Sequence, residues 1–200
     1  MLLLLFRILI IICAVIISNI SSGNLQHDLD KFHSMQANFK QIDIMPLGQK
    51  LNCEGKVWIE KPDHFRWQVQ SPNIYIYVAD GKNLWVYDFD LLQVTKQSLQ
   101  LHINKMPMLL LSSHVRKINN FFTVTELKPG YYHLVPKNIE SLIRAIDLVF
   151  NKGVLQKLTI YNSVGQVTII QFDHVILNTI LPVDLFRLKL PKGIDILRLT

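Results

Sequence analysis

Between residues 57 and 90 the chain punctuates itself about every ten residues with turn chemistry. The turns are Lys61-Pro62-Asp63, Ser71-Pro72-Asn73, Asp80-Gly81-Lys82 and Asp88-Phe89-Asp90. Between them lie short β-branched and aromatic runs: Val57-Trp58-Ile59, Phe65 to Val69, Ile74 to Val78 and Leu84 to Tyr87. Short strands at this spacing form an antiparallel meander. Several of the runs are apolar at odd and even positions alike. Ile74, Ile76 and Val78 alternate with Tyr75, Tyr77 and Ala79, and Trp85 and Tyr87 alternate with Leu84 and Val86. A half-exposed antiparallel sheet carries polar residues on its solvent face, so both faces of this sheet need cover. Two architectures supply it: a simple packed core, or a curved sheet closed by helices around an apolar chamber.

The rest of the chain predicts about eleven strands and two or three helices. An amphipathic helix opens the globular part, with Leu25, Leu29 and Phe32 at i, i+4 and i+7 and Asn24 as its N-cap. A second helix begins at Pro107 and sets Met108, Leu111, Val115 and Ile118 on one stripe. Strands are expected over 121–127, 131–135, 142–150, 154–161 and 167–176, with a short turn or helix near 181–183 and a last strand over 186–190.

The first 23 residues have the form of an export signal. Arg7 precedes the unbroken apolar run Ile8 to Ile17, and Ser18 to Gly23 make a small, polar exit. This divides the chain into a cleavable leader, 1–23, and a single domain, 24–200. An uncleaved anchor is the alternative, and a lipidated Cys13 a third. No later run is long enough to span a bilayer as a helix. Removing the leader leaves Cys53 as the remaining cysteine, so no internal disulfide is expected. The net charge of +6 is spread rather than clustered, which argues against nucleic acid as a partner.

No catalytic set or cofactor motif is present. There is no Gly-x-Ser-x-Gly, no phosphate-cradling glycine loop and no His-Glu-x-x-His. The seven histidines show no ligand spacing, so no metal site is expected. Asp88 and Asp90 flank a turn and are explained by it. The chain is therefore expected not to be an enzyme and to need no cofactor.

The segment Val57-Trp58-Ile59-Glu60-Lys61-Pro62-Asp63-His64-Phe65-Arg66-Trp67 resembles the signature of the periplasmic outer-membrane lipoprotein carriers, the LolA family. So do Asp80 to Asp88, Leu91 to Thr95, Ala37 to Gln41, Pro107 to Leu111, Leu134 to Lys137 and the closing stretch 186–193. The resemblance runs in order from about residue 25 to 195. It implies a mainly β fold of the α+β class, an incomplete, curved antiparallel barrel with helices as a lid over an apolar cavity, and so favours the chamber. It also implies a monomeric carrier. Such a carrier takes acylated lipoproteins from an inner-membrane ABC exporter, shields their acyl chains across the periplasm and delivers them to an outer-membrane receptor. The cavity residues implied are Leu29, Phe39, Trp58, Phe65, Trp67, Trp85, Met108 and Leu111. Lys61 stands where the family commonly has an arginine that latches the lid through backbone carbonyls; lysine brings three donors but no planar fork. The alternatives are a membrane-anchored lipid or lipoprotein receptor, which needs a retained N-terminus, and a lipid-sensing binding module on the same fold.

Overall fold

The computed structural model describes residues 23–99, 107–113, 115–190 and 194–198; the leader, with Arg7 and Cys13, lies outside them. Among the described residues are twelve strands: β1 Ser34–Ile44, β2 Lys50–Glu60, β3 His64–Ser71, β4 Tyr75–Asp80, β5 Asn83–Asp88, β6 Gln93–Ser98, β7 Phe122–Lys128, β8 Tyr131–Pro136, β9 Ile143–Asn151, β10 Val154–Asn162, β11 Val167–Leu177 and β12 Asp195–Arg198. They form one sheet in the order β12-β6-β5-β4-β3-β2-β1-β11-β10-β9-β8-β7. Two meanders thus meet where β1 pairs with β11. Every pairing is antiparallel except β12 on β6. The sheet is curved and open, with β12 and β7 as its edges.

One face forms the main core. Met35, Ile59, Phe65, Ala79 and Leu84 lie side by side across β1 to β5, with Ala37, Val57, Trp67, Tyr77 and Val86 in the next row. Helix α1 (Gly23–Asp30) lays Leu25 and Leu29 into this face, and Phe32 follows just past its end. The helix begins at Gly23, so Asn24 is inside it rather than its cap.

The expected second helix is two pieces. Pro107–Leu111 is a 3-10 helix and α2 is Val115–Phe121. Ser112 and Ser113 interrupt them: both hydroxyls donate to the Leu109 carbonyl, at 2.9 and 3.1 Å, which competes with helix continuation. Leu109, Leu110 and Leu111 are all buried, a spread that one stripe could not achieve.

The other face has its own cover. Ile76, Val78, Tyr87 and Val94 form a second cluster, capped by Leu188, Leu190 and Ile194 of the C-terminal segment. This corrects the expected strand over 186–190. Residues Val183–Phe186 are a 3-10 helix, and pairing resumes only at β12. The alternation of Phe186, Leu188 and Leu190 serves packing across a sheet face rather than pairing at its edge. Both faces of β4 and β5 are thus apolar because each lies under a different layer.

Candidate functional site

The sheet has two ends, and its turns differ between them. At one end the β2–β3 turn holds both lid elements. Lys61 Nζ donates to the Leu29 carbonyl of α1 and lies 3.7 Å from the centroid of the Phe32 ring. The Asp63 amide donates to the Ser112 carbonyl at 2.9 Å, fixing the end of the 3-10 helix. The Lys61 amide donates to the His33 carbonyl at 2.8 Å. Burial pushes the Lys61 ammonium down to about 8, against a smaller opposing pull from Asp30. A second tie holds α1 from across the sheet. Tyr132 of β8 donates its hydroxyl to buried Asp28 at 2.8 Å, and Lys31 pairs with the other carboxylate oxygen at 2.6 Å. Burial and the Asp28 carboxylate together raise the Tyr132 phenol.

Toward the other end the sheet and helices enclose a cavity of about 970 Å³. Its inner wall includes Trp67, Val69, Tyr77, Met108, Phe122 and Ile160. Its mouth is mainly polar, with Gln41, Asn138, Glu140, Asn162 and Gln166, and includes exposed Leu142 and Phe121. The volume is near the upper end of the roughly 300–1,000 Å³ of small-ligand sites. Cys53 also faces it, and burial, then Asp43, pushes its thiol up to about 11, so it stays protonated at neutral pH.

The eight side chains implied by the resemblance divide three ways. Trp67 and Met108 line the cavity. Leu29, Phe39, Phe65 and Leu111 are fully buried in the packed core under the lid and do not line it. Trp58 and Trp85 are on the opposite face, which corrects their placement. Trp58 pairs across with Arg66, Arg66 with Val78, and Val78 with Trp85, a row that excludes the cavity by alternation. Trp85 is further fixed there by its indole N–H, which donates to Asp80 at 2.8 Å. That carboxylate also caps the β4–β5 turn through the Lys82 and Asn83 amides. Trp58 instead borders a smaller groove of about 370 Å³ with Arg66, Tyr87 and Leu188.

Sequence reasoning missed the cavity wall's Gln41, Cys53, Tyr77, Ile160 and Thr168. Strand alternation would have placed them: Gln41 is two residues beyond Phe39, and Cys53 and Ile170 flank Gln41 on neighbouring strands. Their mixed polarity hid them. Among the described residues no group of His, Cys, Asp and Glu side chains could hold a metal ion, and no helix is long and apolar enough to cross a membrane.

Comparison with known proteins gives one family. The profile described as "Outer membrane lipoprotein carrier protein LolA" matches residues 30–189. An outer-membrane lipoprotein carrier protein of Legionella pneumophila (strain Corby) is 32% identical over 198 residues, covering 97% of this chain and 98% of that protein. One from Coxiella burnetii is 35% identical over 184 residues, covering 89% and 87%. Among solved structures, a putative outer membrane lipoprotein-sorting protein domain from Vibrio parahaemolyticus shares the fold. Its TM-score is 0.51 at 12% identity, over 80% of this chain and 94% of that one. A family-wide profile match and near full-length relatives, on a curved open sheet that encloses a cavity under two helical elements, show that the chain belongs to the LolA family of outer-membrane lipoprotein carrier proteins.

Proposed function

We propose that the protein carries acylated lipoproteins through the periplasm with their acyl chains in the cavity behind Trp67 and Met108. It would collect them from an inner-membrane ABC exporter and yield them to an outer-membrane receptor. The domain 24–200 would do this as a monomer, released by cleavage of the leader 1–23. The observation that carries the reading is the cavity: an apolar inner wall, a largely polar mouth and a roof from the 3-10 helix and the end of α2, the former pinned to the β2–β3 turn.

The task is physical rather than chemical. Taking one acyl chain of about fifteen methylenes out of water is worth roughly 12 kcal/mol at about 0.8 kcal/mol per group. Three chains fully buried would exceed the ceiling near 18–21 kcal/mol that non-covalent complexes reach. An exchange removes the discrepancy. Leu25, Leu29, Leu109 and Leu111 fill the sheltered end of the sheet while the lid is shut. Acyl chains that advance beyond the cavity displace these side chains, and the apolar area lost offsets the area gained. Binding then stays reversible, and non-directional contacts accept any acyl chain on any attached protein. Lys61 acts as the latch, with Asp28 and Tyr132 as a second tie.

Purified protein is mixed with a triacylated lipoprotein or with the same protein lacking lipid, and soluble complexes are separated by size. The lipidated form alone is expected to be captured. A Met108→Trp variant, which narrows the cavity at its roof, is expected to weaken capture while keeping the parent's fold. Equal capture of both forms, or of neither, overturns the acyl-shielding reading.

A further inference from the structure

The strand connections at the cavity end differ in kind from those at the lid end. Every hairpin turn at the cavity end, among the described residues, carries an exposed aliphatic side chain. The β1–β2 turn presents Leu47, 100% exposed, and the β8–β9 loop presents Ile139, 98% exposed. The β3–β4 turn offers Ile74, the β5–β6 turn Leu91 and Leu92, and the β10–β11 turn Val164. The lid-end hairpin turns are Lys61-Pro62-Asp63, Asp80-Gly81-Lys82, Pro129-Gly130 and Asn151-Lys152-Gly153, with no aliphatic at any tip; at that end the segment leaving β11 exposes the aliphatics Ile180 and Val183.

These tips fall into two groups of neighbours. The Phe89 amide beside Leu91 donates to the Ile74 carbonyl at 3.3 Å. A Cβ on Gly165, next to Val164, would lie 3.7 Å from the Pro46 ring that precedes Leu47. The Ser163 amide donates to the Leu142 carbonyl at 2.8 Å, joining the β10–β11 turn to the loop that holds Ile139. Gln41, Asn138, Leu142, Asn162 and Gln166 place the cavity mouth among the last three of these connections.

We infer that this end of the sheet seats on a phospholipid surface, dipping its single aliphatic tips into the acyl layer and turning the cavity mouth toward it. The chemistry of the tips identifies the occupant. A protein partner is met by a contiguous patch enriched in aromatic residues and arginine. Here each tip is one or two aliphatic side chains flanked by polar neighbours: Gln49 and Lys50, Asp88 and Asp90, Asn138 and Glu140, Ser163 and Gln166. Isolated apolar points spaced by polar groups match a fluid surface with headgroups above and chains below. The flanking charges are mixed in sign, so attachment depends on insertion rather than on anionic lipid. The inference goes beyond the carrier reading and does not require it.

The test uses the protein recovered in soluble extract from cells expressing the full chain. It is sedimented with vesicles of phosphatidylethanolamine mixed with phosphatidylglycerol, and with vesicles of phosphatidylcholine alone. Sedimentation is expected with both, changing little with salt. The quadruple variant Leu47→Ser, Leu91→Ser, Ile139→Ser, Val164→Ser is expected to lose it by about tenfold or more. It should keep the parent's thermal unfolding, because every altered side chain is exposed. The double variant Leu127→Ser, Ile180→Ser, exposed by 56% and 98% on residues outside these tips, is expected to sediment like the parent. Failure of the parent to sediment, retention by the quadruple variant, or equal loss by the double variant overturns the inference. Lipoprotein capture is scored separately, so vesicle binding can fail while capture succeeds, and the reverse.

Discussion

Phe39 of β1 and Trp67 of β3 stack with ring centroids 3.7 Å apart and planes inclined by 23°, although β2 runs between their strands. They meet because the residue opposite Phe39 on β2 is Gly55. The ring covers the space a side chain would take and reaches Trp67 at the cavity wall. A Cβ on Gly55 would lie 1.9 Å from the Gln68 carbonyl oxygen and 2.8 Å from the Phe39 ring. The first contact is backbone and cannot yield without moving β3. Gly55→Ala is therefore expected to cost roughly 3 kcal/mol and to shift Trp67 fluorescence through the lost stack. Denaturant unfolding followed by that fluorescence checks it; a variant with the parent's midpoint would show that the strands part freely.

Phe65 is fully buried and does not line the cavity. Phe65→Ala should therefore cost about 3–5 kcal/mol, the range for emptying an aromatic core site, while Met108→Trp should leave the midpoint within about 1 kcal/mol. Paired thermal or denaturant melts separate the two. Equal losses would mean that Met108 belongs to the packed core as well.

Much of the fold was legible because turn chemistry and apolar alternation repeat at short range. The two meanders and the turns that join them follow from Pro, Gly, Asn and Asp at fixed spacing. The face each tryptophan occupies did not follow from alternation within one strand, because β4 and β5 are apolar on both sides. It did follow from the β2–β3 turn: with Glu60 opposite His64, Ile59 must face Phe65 and Trp58 must face Arg66. Burying Phe65 inside therefore puts Trp58 outside. The cavity wall was less legible, since Gln41 and Thr168 carry no apolar signal. The covering role of the C-terminal segment was illegible for another reason: Leu188 and Leu190 alternate as a strand would, and only long-range packing separates the two outcomes.

Tyr132 ties the sheet to α1 through Asp28. Tyr132→Phe removes the phenolic donor but keeps the ring against Phe150, whose centroid is 5.9 Å away. Among the described residues, Asp28 then keeps Lys31 as its side-chain partner in a buried setting. The loss should be about 1–3 kcal/mol, the cost of stranding part of a buried polar group. Amide hydrogen exchange should quicken in α1 and not in β1 or β2. Uniform quickening across the domain would mean that the bond supports global stability rather than the lid.

Lys61 gives the lid a pH dependence of definite sign. Burial holds its ammonium near 8, whereas the unfolded chain keeps the ordinary lysine value of 10.5. Between those values the unfolded state binds more protons, so this group makes the folded state gain stability as pH rises. Below about 8 the penalty for burying the charge is constant. Other groups titrate nearby in the opposite sense: Cys53, pushed up to about 11, and Tyr132, also raised, both lose stability as pH climbs. The decisive quantity is therefore the difference between the parent and Lys61→Met. That difference should move in the parent's favour by about 1–2 kcal/mol from pH 8 to 10.5, after discounting for solvent screening at a partly exposed group. Urea midpoints of both proteins across that range measure it. A flat difference would mean that Lys61 keeps an ordinary ammonium and holds Leu29 at no electrostatic cost.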